Sequence, residues 1–181
     1  MINRKITMLM LLVGFGMCGI SYASEFDKED VVYKLYKDFA WTALFDDVNT
    51  VVVRHQGKSL VAQPYSVLQG YFDKPLALLI EREEKCRERE GSVVCRLAFN
   101  PLFGIEDVAV AGLKIYSTED NCIVAEYQYP SNGEYIRIKF KMVEEDTGWK
   151  IEDIKYRKSE GGELSLKDIL KNNHYIPGDY Q

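Results

Sequence analysis

Residues 135–143 alternate without a break. Ile136, Ile138, Phe140 and Met142 fall on one face, and Tyr135, Arg137, Lys139 and Lys141 on the other. Strict period-two alternation marks a β-strand with one buried and one wet face. Segments 122–129 and 149–156 also read as strands. They join the first through Pro130-Ser131-Asn132-Gly133 and through residues 144–148, both rich in turn formers. The three make an antiparallel meander, one wall of a core. In the last strand Trp149 and Ile151 share one phase, whereas Ile154 and Tyr156 share the other. A bulge near Glu152-Asp153 brings both pairs inward.

Upstream the period changes to that of helices. Over residues 27–45, Val31, Leu35, Phe39 and Thr42 follow one line, with Val32, Tyr36, Ala40 and Ala43 beside it. Asp27 and Asp30 suit a helix start, and Trp41 reads as a core residue. Residues 46–59 connect, with Val51-Val52-Val53 briefly extended. Pro64 fits the first turn of a second helix, which runs to Phe72. Asp73 fits the cap of a third, with Pro75 in its first turn. The charge run from Glu81 to Glu90 reads as a solvated helix end, with Glu81–Lys85 and Glu83–Arg87 as (i, i+4) pairs; a docking surface is the rival reading. Residues 92–99 alternate Val93, Cys95, Leu97 and Phe99 and read as a strand, and Leu113 and Ile115 mark another. Near the end, Ser165 is the expected cap of a short helix that buries Leu166, Ile169 and Leu170; residues 171–181 read as a loose tail. The order predicts an α+β fold: N-terminal helices packed on a bent antiparallel sheet.

The first 23 residues stand apart from that fold. Asn3-Arg4-Lys5 precedes an apolar stretch from Ile6 to Ile20, and Ser21-Tyr22-Ala23 offers a cut after Ala23. This is the pattern of a secretory signal peptide. The apolar stretch is short for a membrane span, which needs about 20 residues. Met17 and Phe15 fit poorly before Cys18 as a lipid-attachment signal. The expectation is an exported, periplasmic product with a single domain over residues 24–181 and no stable membrane insertion after cleavage. Cleavage removes Arg4 and Lys5 and no acid, moving the formal charge from −5 to −7. Such a balance argues against a nucleic-acid partner and against attraction to anionic lipid.

Cys86, Cys95 and Cys122 remain after cleavage. Export permits a disulfide. Cys86 and Cys95 flank the turn-like Gly91-Ser92, and a bridge there is worth about 2.5–3 kcal/mol by loop-closure entropy. Pairing of Cys95 with Cys122 is the alternative. In the first case Cys122 is left over, either as a buried strand residue or as a thiol that reaches a partner chain. No C-x-x-C occurs, and only His55 and His174 could add nitrogen ligands, so neither a metal nor a cofactor is expected.

For chemistry, Asp107, Glu126 and Asp153 are the carboxylates that an acid–base enzyme could use. Their plainer readings are a loop cap, an outer-face strand residue and a bulge residue. His55 and His174 are not placed for catalysis. No nucleophile triad or phosphate loop appears. The segment from Phe99 to Asp107 is the best surface candidate. Pro101, Leu102, Phe103 and Ile105, with Glu106 and Asp107, are more apolar than a free loop should be. They either plug the open end of the fold or form an exposed patch for a protein partner.

Two motifs carry a resemblance: Phe99-Asn100-Pro101-Leu102-Phe103 with Glu106-Asp107, and Gly148-Trp149-Lys150-Ile151-Glu152-Asp153-Ile154. The chain resembles a family of small exported bacterial envelope proteins catalogued as a domain of unknown function. Tyr36, Phe39, Trp41 and the segment from Leu166 to Leu170 agree with it; Ile105-Glu106 departs from its pattern. The resemblance implies a cone-like, nuclear-transport-factor-like fold and supplies no activity. Three functions stay open. One is a non-catalytic protein that binds another envelope protein, of which a toxin-neutralising immunity protein is a special case. The others are a small-ligand carrier with a cone pocket lined by Phe39, Ile138 and Trp149, and a pocket enzyme with a buried carboxylate.

Overall fold

A computed structural model describes residues 27–40, 59–91, 95–104, 111–118, 120–129, 133–158 and 161–172. The expectations placed on residues 1–23, Trp41, residues 51–53, His55, Ile105, Glu106, Asp107 and His174 lie outside these.

Helix α1, Lys28–Phe39, begins at Asp27 with Glu29 and Asp30 in its first turn, where acids meet the unpaired N–H groups. It buries Val32, Leu35, Tyr36 and Phe39 of the predicted apolar face, with Val31 partly buried beside them; Thr42 and Ala43 lie outside the described residues. The short helix α2, Tyr65–Leu68, has Pro64 at its cap rather than in its first turn. Helix α3, Lys74–Glu90, is capped by the Asp73 carboxylate, which accepts from Leu76 N–H at 2.8 Å, and it ends on Gly91 in the left-handed conformation, φ 59°.

Five strands follow: β1 Ala111–Thr118, β2 Cys122–Gln128, β3 Tyr135–Glu145, β4 Gly148–Arg157 and β5 Glu163–Ser165. They form one antiparallel open sheet in the order β1-β2-β3-β4-β5. Together with the helices this is an α+β fold. The bulge is where the phase change requires it. Lys141 pairs with Asp153 and Met142 with Ile151, leaving Glu152 as the extra residue. Ile151, Ile154 and Tyr156 are therefore all buried. The segment before α3 joins the sheet, with Phe72 bridged to Ile151 in parallel. Helix α4, Leu166–Lys171, closes the described chain, with Ser165 capping Asp168 N–H as expected.

The described helices and one face of the sheet share a single apolar core, which includes Tyr36, Phe39, Phe72, Leu102, Phe103, Ile138 and Phe140. A disulfide joins Cys86 to Cys95, and Cys122 is free and buried on β2.

Two expectations need correction here. Residues 95–99 are not a strand. Their backbone donors go to a side chain instead of a ladder: the Glu83 carboxylate accepts from the N–H groups of Cys95 (3.3 Å), Arg96 (2.8 Å) and Leu97 (3.1 Å). The charge run is consequently not wholly solvated. Glu83 is 0% exposed, with Arg87 at 3.4 Å and Arg96 at 3.6 Å. Among the described residues no helix is long and apolar enough to cross a membrane.

Candidate functional site

The apolar loop turns inward. Leu102 and Phe103 are both 0% exposed, and Pro101 is buried with them. Pro101, Leu102 and Phe103 therefore form no exposed patch, and Leu102 and Phe103 belong to the core. The backbone polar groups of residues 101–103 are all paired. Asn100 takes the N–H groups: its side-chain oxygen accepts from Leu102, and its carbonyl accepts from Phe103 and Gly104. Three tyrosine hydroxyls, from three different elements, donate to three successive carbonyls. Tyr156 of β4 reaches Pro101 at 2.9 Å, Tyr36 of α1 reaches Leu102 at 2.6 Å, and Tyr127 of β2 reaches Phe103. Buried carbonyls must be paired, and no ladder is available to a turn. Burial first, with neighbouring phenols second, holds Tyr36 and Tyr127 well above the ordinary tyrosine range, so they remain donors. Gly104 follows at φ 69°, where a Cβ would stand 3.2 Å from the Tyr156 ring.

The residues expected to line a cone pocket are also packed. Phe39 meets the Tyr71 ring edge-on at 5.6 Å, and Ile138 is buried in the core. Trp149 is half-buried against that core under the Lys28 ammonium, 4.7 Å from its ring.

The carboxylates named for acid–base chemistry hold structural positions. Glu126 is ion-paired with Arg137 at 2.5 Å across β2 and β3. Asp153 is buried, accepting from the N–H groups of Ile154 and Lys167 and from the Ser165 hydroxyl at 2.7 Å. It fixes the bulge to the start of α4.

The outer face of the sheet holds the arrangement with the most unusual electrostatics. Arg137, Lys139 and Lys141 project from β3, as the alternation requires. Register then sets Lys139 directly opposite Lys155 of β4. Like charges facing across strands destabilise a sheet. One carboxylate, that of Glu163 on β5, serves both, at 2.7 Å from Lys139 and 3.2 Å from Lys155. The Lys139 hydrogen bond, ahead of burial, holds the Glu163 carboxyl below its usual range, and the same bond raises Lys139. Lys141 pairs with the bulged Glu152 at 2.9 Å. Tyr116 and Tyr135 stand exposed on the same face, Tyr135 at 62%. Val124 and Cys122 lie on this face too, and both are buried; Val124 is flanked by Tyr116 and Lys139, and Cys122 by Thr118 and Lys141. Long lysine stems cover apolar neighbours while their heads stay wet. Beside this ridge a cleft of about 370 Å³ opens between β3, β4, β5 and α4, lined by Lys141, Lys155, Lys167 and Lys171 with Glu152, Asp153, Glu163 and Asp168.

The lysines of β3 were visible in the alternation. Lys155, Glu163 and their convergence were not, because they depend on a bulge and on a three-residue strand. Comparison with family models, with curated proteins and with solved structures returned no match.

Proposed function

We propose that this chain is a non-catalytic binding protein of the periplasm, released there by removal of residues 1–23, which recognises an acidic surface of another envelope protein through the outer face of its sheet. The observation that carries this is the facing pair Lys139 and Lys155, bridged among the described residues by Glu163 alone. A sheet gains nothing from such a pair, whereas an interface with an acidic partner does. Exposed Tyr116 and Tyr135 add the aromatic type that anchors interfaces. A cone-like, nuclear-transport-factor-like fold and the envelope-family resemblance accord with helices on one side of a bulged sheet. The disulfide accords with export. The carrier and pocket-enzyme readings draw no support from Phe39 and Ile138, which are core residues.

The test is capture from a native envelope extract with the mature chain and with a Lys139→Glu, Lys155→Glu variant, followed by rebinding of the purified captured protein. The proposal expects an acidic partner whose binding the charge reversal abolishes and added salt weakens. A captured set unchanged by the reversal would remove it.

A further inference from the structure

We propose that the cleft beside the lysine ridge receives a carboxylate side chain from an extended acidic segment of the partner protein, and that Glu163 occupies that carboxylate's place in the free protein. This inference rests on the binding reading above and adds the chemistry of its contact.

Glu163 is suited to being displaced. It sits on a three-residue edge strand, its side chain is 43% exposed, and it bridges Lys139 and Lys155 without reaching the core. Exposed pairs of this kind contribute little to stability. An incoming carboxylate can therefore replace it without unfolding anything. The floor beneath it is rigid by contrast: Asp153 is buried and has three donors, and Lys167 is tied to Asp73 at 2.9 Å. Lys171 lines the cleft and is exposed, with no carboxylate of the described residues within ion-pair distance. It is available to the ligand.

Spacing favours a protein segment over a small anion. Lys139 and Lys141 are alternate residues of one strand, about 6.6–6.8 Å apart. Side chains on one face of an extended peptide repeat at the same distance. Acids at alternate positions would meet Lys139 and Lys141 in turn, and the carboxylate at Lys139 would also face Lys155, which lies directly across from it. The cleft volume lies at the lower end of the usual range for ligand sites, about 300–1,000 Å³, which suits one side chain with its neighbours.

The probe is a fluorescein-labelled peptide of alternating glutamate and serine, with a lysine–serine peptide as control, followed by anisotropy at low salt. Glu163→Gln should bind about two- to fivefold tighter than the natural chain, because a competing ion pair is gone. Lys155→Gln with Lys171→Gln should bind about threefold or more weaker. Both lie on the surface, and matching thermal transitions would establish that they fold. If the peptide binds but ignores these changes and instead depends on Tyr135 and Arg137, the cleft inference falls while the outer-face reading stands. If inorganic phosphate or anionic vesicles bind and the peptide does not, the occupant is wrong. If nothing binds any form, both the cleft inference and the electrostatic basis of the function fail.

Discussion

The Tyr36 hydroxyl on α1 lies 2.6 Å from the carbonyl oxygen of Leu102, a residue 66 positions later in the chain. With Tyr127 and Tyr156 it converts an apolar loop into a piece of the core. Removing one hydroxyl leaves a buried acceptor unpaired, at a cost of about 1–3 kcal/mol. Tyr36→Phe and Tyr156→Phe should each lower stability by that amount in urea unfolding, with the slope unchanged. Tyr135→Phe, on the exposed face, should leave it unaltered.

Glu83 gathers three backbone donors and two guanidinium groups while fully buried. Breaking a buried charge pair by deleting one partner costs about 3–5 kcal/mol. Glu83→Ala is expected to fall in that range and to speed amide exchange at Cys95, Arg96 and Leu97. Glu81→Ala, two residues away, where the carboxylate is partly exposed and pairs with Lys85, should cost clearly less. Equal losses at both sites would mean that residues 95–97 are held by something other than Glu83.

The Cys86–Cys95 disulfide and the Glu83 cradle secure the same segment, since Cys95 N–H is one of the donors to Glu83. Replacing both cysteines by serine should cost about 2.5–3 kcal/mol. Coupling to Glu83→Ala should be measurable, because groups sharing one segment are not additive. Thiol counting on the folded mature chain should find Cys122 slow to react and label it fully only after denaturation.

Glu163 links pH to the lysine ridge. Its carboxyl is depressed in the folded chain below the ordinary 4.5, first by the Lys139 hydrogen bond. A depressed acid contributes stability above its unfolded pKa and loses it as pH falls through the folded value. Carbon-detected NMR titration should therefore show Glu163 protonating below the ordinary range, and Lys139→Ala should move it back up. An ordinary value in the natural chain would contradict the bridge.

Much of the fold was legible because burial follows period. The alternation in β3 fixed its two faces, the phase change between Ile151 and Ile154 demanded the bulge, and Asp73 and Ser165 read correctly as caps. Residues 95–99 show where that logic ends. Val93, Cys95, Leu97 and Phe99 alternate like a strand, yet a carboxylate twelve residues before Cys95 takes the backbone donors. Nothing local marks Glu83 as different from Glu81 or Glu84 in the charge run. The burial of Pro101, Leu102 and Phe103 was hidden for a related reason: three distant tyrosines supply the donors that let them go inside. The lysine cluster needed register across three strands, which composition does not carry.

The most direct measurement is amide chemical-shift mapping of the mature chain during titration with the alternating glutamate peptide. The largest changes are expected on Lys139, Lys141, Lys155 and Glu163, while the amides of Leu102, Phe103 and Gly104 stay still. Changes centred on that loop, with the lysine ridge silent, would contradict this and return the binding surface to the segment that the tyrosines hold.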